Sequence, residues 1–152
     1  MTKQGKLLKI WIKSRHRGPM DECGNAQLKA GQGLVGSADL GGKRQVTLLE
    51  IEQWNETIKE LGISLDPAQR RANLLVTGIQ LRHSTDRIIR VGPCRLKIGG
   101  ETTPCQHIEV SAPGLRQSMQ HDWRGGVYAE VLDDGDIATG DLVTWESQDL
   151  SY

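Results

Sequence analysis

Gly126-Val127-Tyr128-Ala129-Glu130-Val131-Leu132, followed after two residues by Gly135-Asp136-Ile137-Ala138-Thr139-Gly140-Asp141-Leu142-Val143, is the stretch that decides the fold. Val127, Ala129 and Val131 alternate with Tyr128 and Glu130, the two-residue period of a strand with one buried face. Asp133-Asp134-Gly135-Asp136 is a turn signal. The spacing therefore predicts a terminal hairpin, with Ile137 to Trp145 as the returning strand, interrupted at Gly140-Asp141.

Similar short strands recur upstream. Gly5 to Ile12 alternates, with Leu8, Ile10 and Ile12 on one side and Lys9, Trp11 and Lys13 on the other. Arg44 to Leu49 reads as a strand entering a helix. In that helix Ile51, Trp54, Ile58 and Leu61 fall on one face of a 3.6-residue period. Thr47 and Glu50 have capping-box spacing, and Gly62 suits the C-terminal stop. Asp66-Pro67 is a turn or helix start. Leu74 to Leu81 reads as a strand broken at Gly78, and Ile88 to Val91 and Arg95 to Ile98 as a pair of strands near Gly92-Pro93. Gly99-Gly100 reads as a turn, Thr102 to His107 as a loop or strand end, and Pro113-Gly114 as the start of a short helix through Trp123. Many short strands with two helices predict a mainly β, α+β chain: a mixed β-barrel with short helical insertions.

Composition bounds the function. The chain has 152 residues, the size of one domain, taken as residues 1–152. It holds no Phe, four Trp and two Tyr, so aliphatic residues must fill the core, while eighteen Gly suit a fold rich in turns. Nineteen basic residues balance nineteen acidic ones, which argues against a nucleic-acid partner. The acid-free N-terminal run containing Lys3, Lys6, Lys9, Lys13, Arg15 and Arg17 reads as solvated strand faces and tips. No apolar run approaches the roughly 20 residues of a membrane helix. The three cysteines, widely spaced, are no disulfide framework, so a reducing cytoplasm is expected.

Gly31-Gln32-Gly33-Leu34-Val35-Gly36 matches GxGxxG, but a dinucleotide site needs a strand before it and a helix after it. Asn25 to Ala30 reads as a poor strand, and Ser37 to Gly42 is no helix. Cys105 is the best candidate for a reactive atom. It follows Pro104 in a polar loop, where His107, an arginine or a helix N-terminus would raise its thiolate fraction. Cys94 reads as a small buried hydrophobe in register with Leu96 and Ile98, and Cys23 as an ordinary loop thiol. His16, His83, His107 and His121 have no zinc spacing. Arg70, Arg71 and Asn73, at the head of a strand, suit a phosphate or carboxylate, or a salt bridge to an acid.

In order, these segments resemble a MOSC domain, the C-terminal module of molybdenum-cofactor sulfurases. The C-terminal stretch is similar to the family's closing "GvyarVl..G.i..GD.V". Asn73-Leu74-Leu75-Val76-Thr77-Gly78-Ile79 resembles "Nlvv.Gi", and Val91-Gly92 with Leu96-Lys97-Ile98 resembles "iG.a.l.i". Pro104-Cys105 falls where the family carries its signature cysteine; Gln45 to Leu49 and Gly33 to Gly36 add weaker matches. The resemblance implies a mixed β-barrel and a role in binding molybdenum cofactor (molybdopterin) or carrying sulfur. Cys105 would hold a persulfide or ligate molybdenum, a task suited to a soft thiolate. Arg70, Arg71, Asn73 and His107 would bind the cofactor, with Arg71 and Asn73 at the pterin phosphate or pocket wall. The implied partners are the cofactor itself or a protein that donates or accepts sulfur. Ser37 stands where many members have Asp, and Ala72 where Arg or Glu is common. Three functions follow: a cofactor-binding or sulfur-carrier protein, an oxidoreductase reducing N-hydroxylated compounds with molybdenum cofactor, or a binding module with a degenerate pocket.

Overall fold

The alternation at the C-terminal stretch sets the frame. In the computed structural model, which describes residues 4–15, 18–38, 40–102, 112–120 and 123–146, strand β9 (Val127–Val131) turns Val127, Ala129 and Val131 into the core. Cys105 and His107 lie outside the described residues. So do His16 and His121.

The strands before β9 are β1 (Gly5–Lys13), β2 (Met20–Cys23), β3 (Asn25–Lys29), β4 (Gly33–Leu34), β5 (Val46–Glu50), β6 (Leu74–Thr77), β7 (Ile88–Val91) and β8 (Cys94–Glu101). After it come β10 (Gly135–Ala138) and β11 (Leu142–Trp145). Neighbouring strands run β11-β7-β8-β9-β5-β6-β1, and β1 also pairs with β11, closing a barrel. The β5–β6 pair is parallel; the other pairs of the ring are antiparallel, so the barrel is mixed, as expected. The helices are short: α1 (Ile51–Leu61), α2 (Leu115–Met119) and a 3₁₀ turn at Pro67–Arg70. No helix among the described residues is long and apolar enough to cross a membrane.

Two cores result. Leu7, Ile10, Leu48, Leu74, Leu96, Ala129 and their neighbours fill the barrel. Trp11, Leu49, Trp54, Leu75, Leu115 and Met119 pack outside its wall, beneath the helices. Trp54 and the partly buried Ile51, Ile58 and Leu61 are the apolar face read from the sequence. Gly62 ends α1 in the left-handed region, φ 67°.

Several local readings are corrected by this arrangement. In β1 a register shift between Leu7 and Lys9 breaks the alternation, so Leu7, Ile10 and Trp11 are buried while Leu8 is exposed. Thr47 does not cap α1: it lies within β5, and the N-cap Glu50 makes no side-chain capping bond. Asn25–Lys29 is a strand after all, yet no helix follows Gly36, so the dinucleotide motif still lacks half its frame. The helix after Gly114 is shorter than read, and Trp123 sits at φ 58°, off the helical region. The Asp133–Asp136 turn does not close a hairpin onto β9. Instead β10 pairs with β3, and β9 lies between β5 and β8. Gly99 and Gly100 belong to β8 rather than to a turn.

Candidate functional site

Residues from four separate segments meet at one end of the β1–β6–β5 wall. Asn73, just before β6, ties them together. Its Oδ1 accepts from Thr47 N at 3.0 Å and Thr47 Oγ1 at 3.1 Å, and its Nδ2 donates to the Trp11 carbonyl at 3.2 Å. Trp11 N returns a bond to the Asn73 carbonyl at 2.7 Å. A buried amide with both ends engaged makes a rigid wall.

Against that wall opens a cavity of about 560 Å³. Lys13 from the end of β1, Lys43 and Arg44 from the turn before β5, and Arg71 line it, with Thr47 and Asn73. No carboxylate is among the described lining residues. Asp39 lies outside the described residues. Four like charges around one cavity favour an anionic guest. The volume falls in the range of roughly 300–1,000 Å³ typical of small-molecule sites.

Arg70 and Arg71 part company. Arg71 ends the 3₁₀ turn in the left-handed region, φ 63°, and donates to the Gly18 carbonyl at 2.5 Å. Arg70 instead donates through Nε to Gly125 O at 3.2 Å and through an Nη to Thr102 O at 3.3 Å. Thus Arg71 and Asn73 line the cavity, while Arg70 fastens the end of β8 to the loop before β9. Lys13, Lys43 and Arg44 were not singled out from the sequence. Lys13 shared the outward parity of Lys9, but no local pattern shows that the Lys43-Arg44 turn comes to meet it.

Ser37 is buried and engaged, with its N–H donating to Leu34 O at 3.0 Å. Cys94 is sealed inside the barrel, and burial, then Asp133, Asp134, Asp136 and Asp141, push its thiol up. That environment suits packing, not nucleophilic chemistry. Cys23 is half-buried, its thiol 3.6 Å from Asp21 O. No group of three or more His, Cys, Asp or Glu side chains suited to a metal occurs among the described residues.

A closed mixed barrel carrying a cationic cavity on its wall defines the class of protein to which comparison points. The sequence profile of the MOSC domain matches residues 21–144, and the chain belongs to that family. Among solved structures it is similar to the YuaD protein from Bacillus subtilis, with a TM-score of 0.78 and 21% identity over 97% of this chain and 100% of that one. It is also similar to YiiM from Geobacillus stearothermophilus, with a TM-score of 0.77 and 14% identity over 96% of this chain and 77% of that one. YiiM from Escherichia coli aligns at a TM-score of 0.70 and 17% identity, over 94% and 70% of the two chains. At these identities the solved structures speak for the fold. No curated protein sequence matches.

Proposed function

We infer that this chain, acting as a single domain over residues 1–152, is a molybdenum-cofactor-binding or sulfur-carrier protein that works through Cys105. The observation that carries this reading is the cationic cavity walled by Arg71 and Asn73. Its size and charge fit a small ligand bearing a phosphate, and guanidinium pairs with phosphate in two-pronged fashion. Covalent geometry adds support. Arg70 holds the Thr102 carbonyl, and two residues, Thr103 and Pro104, separate Thr102 from Cys105, a reach of at most about 11 Å. His107 follows Cys105 by two residues and completes the proposed binding set.

In this reading Arg71 binds the anionic end of the cofactor, Asn73 keeps the wall in place, and Arg70 fixes the approach to the loop of Cys105. The Cys105 thiolate is the soft ligand for molybdenum, or the atom that carries a sulfane sulfur. The bound cofactor would supply redox or sulfur-transfer chemistry at that thiolate. A reducing cytoplasm suits a free thiol with this task.

The test is purification under reducing conditions, with molybdenum measured by mass spectrometry, pterin by fluorescence and persulfide by intact mass. Molybdenum or persulfide present in the wild type and lost in Cys105→Ser supports the reading. Neither one, after incubation with cofactor and with a cysteine desulfurase, overturns it. Reduction of a hydroxylamine or amidoxime that depends on Cys105 would assign the oxidoreductase version.

A further inference from the structure

Arg44 stands apart from the other cations of the cavity in how it is held. Its Cζ lies 5.1 Å from the centroid of the Tyr128 ring, and among the described residues it makes no ion pair. The ring itself is placed by two glycines. Gly100 pairs with Tyr128 in the β8–β9 register, and a Cβ on Gly99 would run into Tyr128 Cε2 and sit 2.9 Å from Cδ2. A Cβ on Gly100 would lie 3.1 Å from the Tyr128 hydroxyl oxygen. The ring thus covers backbone that only glycine leaves open, and a cation rests on the ring.

The turn that carries Arg44 is equally fixed. The buried Gln45 side chain donates to Gly42 O at 2.9 Å and accepts from Val131 N at 2.9 Å. Lys43 and Arg44 lie between those anchors, at the rim of the cavity. A guanidinium held by a π face keeps its N–H donors free for a ligand, whereas one held by a carboxylate has its charge already answered.

We propose that the cavity takes a tetrahedral dianionic head group, and that Arg44, positioned by the Gly99–Gly100–Tyr128 stack, selects for it. This deepens the phosphate-pocket part of the reading above and does not require Cys105. The shared chemistry has two sources, a phosphomonoester on an organic ligand or a free oxyanion.

Calorimetric titration of the full chain separates the possibilities, using ribose 5-phosphate, inorganic phosphate and molybdate as probes. Binding of ribose 5-phosphate more tightly than the two inorganic ions assigns an organic phosphomonoester; the reverse order assigns a free oxyanion. Arg44→Gln should weaken the preferred probe about tenfold, as loss of a charge-assisted pair does. Arg44→Lys should recover only part of it. Tyr128→Leu should weaken binding in the wild type and change nothing further in the Arg44→Gln background, a result that loss of general stability would not give. No binding of any probe, or wild-type affinity in Arg44→Gln, overturns the proposal. Wild-type chain that binds the anion but takes up neither persulfide nor molybdenum sinks the Cys105 reading instead.

Discussion

Asn73 and Thr47 bind one another reciprocally: the Thr47 N–H and hydroxyl both donate to Asn73 Oδ1, and the Asn73 N–H donates to Thr47 Oγ1 at 3.0 Å. Together they lock the parallel junction of β5 and β6. Asn73→Ala leaves the buried Trp11 carbonyl and the half-buried Thr47 donors without the amide, so it should destabilise the chain by about 2–3 kcal/mol. Thr47→Val removes only the hydroxyl, and the Asn73 N–H keeps the Thr47 carbonyl at 3.1 Å, so about 1 kcal/mol is expected. Urea unfolding of the two variants measures the difference. Equal losses would mean that the amide is not the central tie.

The parts of the fold legible in the sequence are those where one face meets one core. Val127, Ala129 and Val131 alternate because the barrel lies on one side of β9 only. The α1 face was legible for the same reason. β1 was misread because both of its sides are covered: Leu7 and Ile10 face the barrel, while Trp11 faces the helices. The Gly99-Gly100 pair looks like a turn in one dimension, since its cause, the Tyr128 ring, comes from another strand. β10 leaves β9 for β3, more than a hundred residues earlier, a pairing that no local turn signal reveals. In the cavity, Arg71 and Asn73 were legible as polar residues at a strand head. Lys43 and Arg44 were not, because only the closure of the barrel brings that turn opposite Lys13. Cys105 and His107 rest on the sequence, as a thiol after Pro104 with an imidazole two residues on, and on the family resemblance.

Glycine is needed at Gly126 for two reasons that a second position separates. Gly126 and Gly140 have nearly the same φ, 92° and 94°. A Cβ on Gly126 would run into the Leu48 carbonyl oxygen and lie 3.1 Å from its carbon, whereas one on Gly140 meets open space. Gly140→Ala should therefore cost about 1 kcal/mol from backbone strain alone. Gly126→Ala adds a clash against β5 backbone and should cost about 3 kcal/mol or more. Thermal or urea unfolding gives both values, and a smaller loss at Gly126 than at Gly140 would remove the steric argument.

Glu50 makes stability depend on pH. Its carboxylate accepts from Leu81 N at 2.5 Å in a buried setting. Burial raises its pKa above 4.5; the Leu81 N–H opposes that rise, Glu52 adds to it, and Arg82 opposes it. The folded chain therefore holds this proton more tightly than the unfolded one. The contribution from Glu50 is most favourable below pH 4.5 and is lost as pH rises from there through the folded pKa. Glu50→Gln keeps an acceptor for Leu81 and does not titrate. Across that window its stability should fall less with pH than the wild type's, as urea midpoints at successive pH values will show. An unchanged slope would place the carboxylate in water rather than in the wall.

The three thiols should differ in reactivity, and the difference bears on Cys105. Cys94 Sγ sits beneath β10, 2.8 Å from where a Cβ on Gly135 would stand, and the chain leaves it no exposed surface. Burial and the Asp133, Asp134, Asp136 and Asp141 carboxylates hold its pKa above 9.0, so almost none of it is thiolate at neutral pH. Iodoacetamide at pH 7.5 should leave Cys94 unmodified in the folded chain and label it in denaturant, as peptide mass spectrometry will read. Cys94→Ala should fold more stably than Cys94→Ser, because a hydroxyl at that site is buried among Val91, Leu96 and other apolar side chains. With Cys94 silent, labelling of the native chain reports on Cys23 and Cys105 alone, and Cys23→Ser then isolates Cys105. Rapid alkylation of Cys94 in the native state would show that the barrel opens there, and would remove that separation.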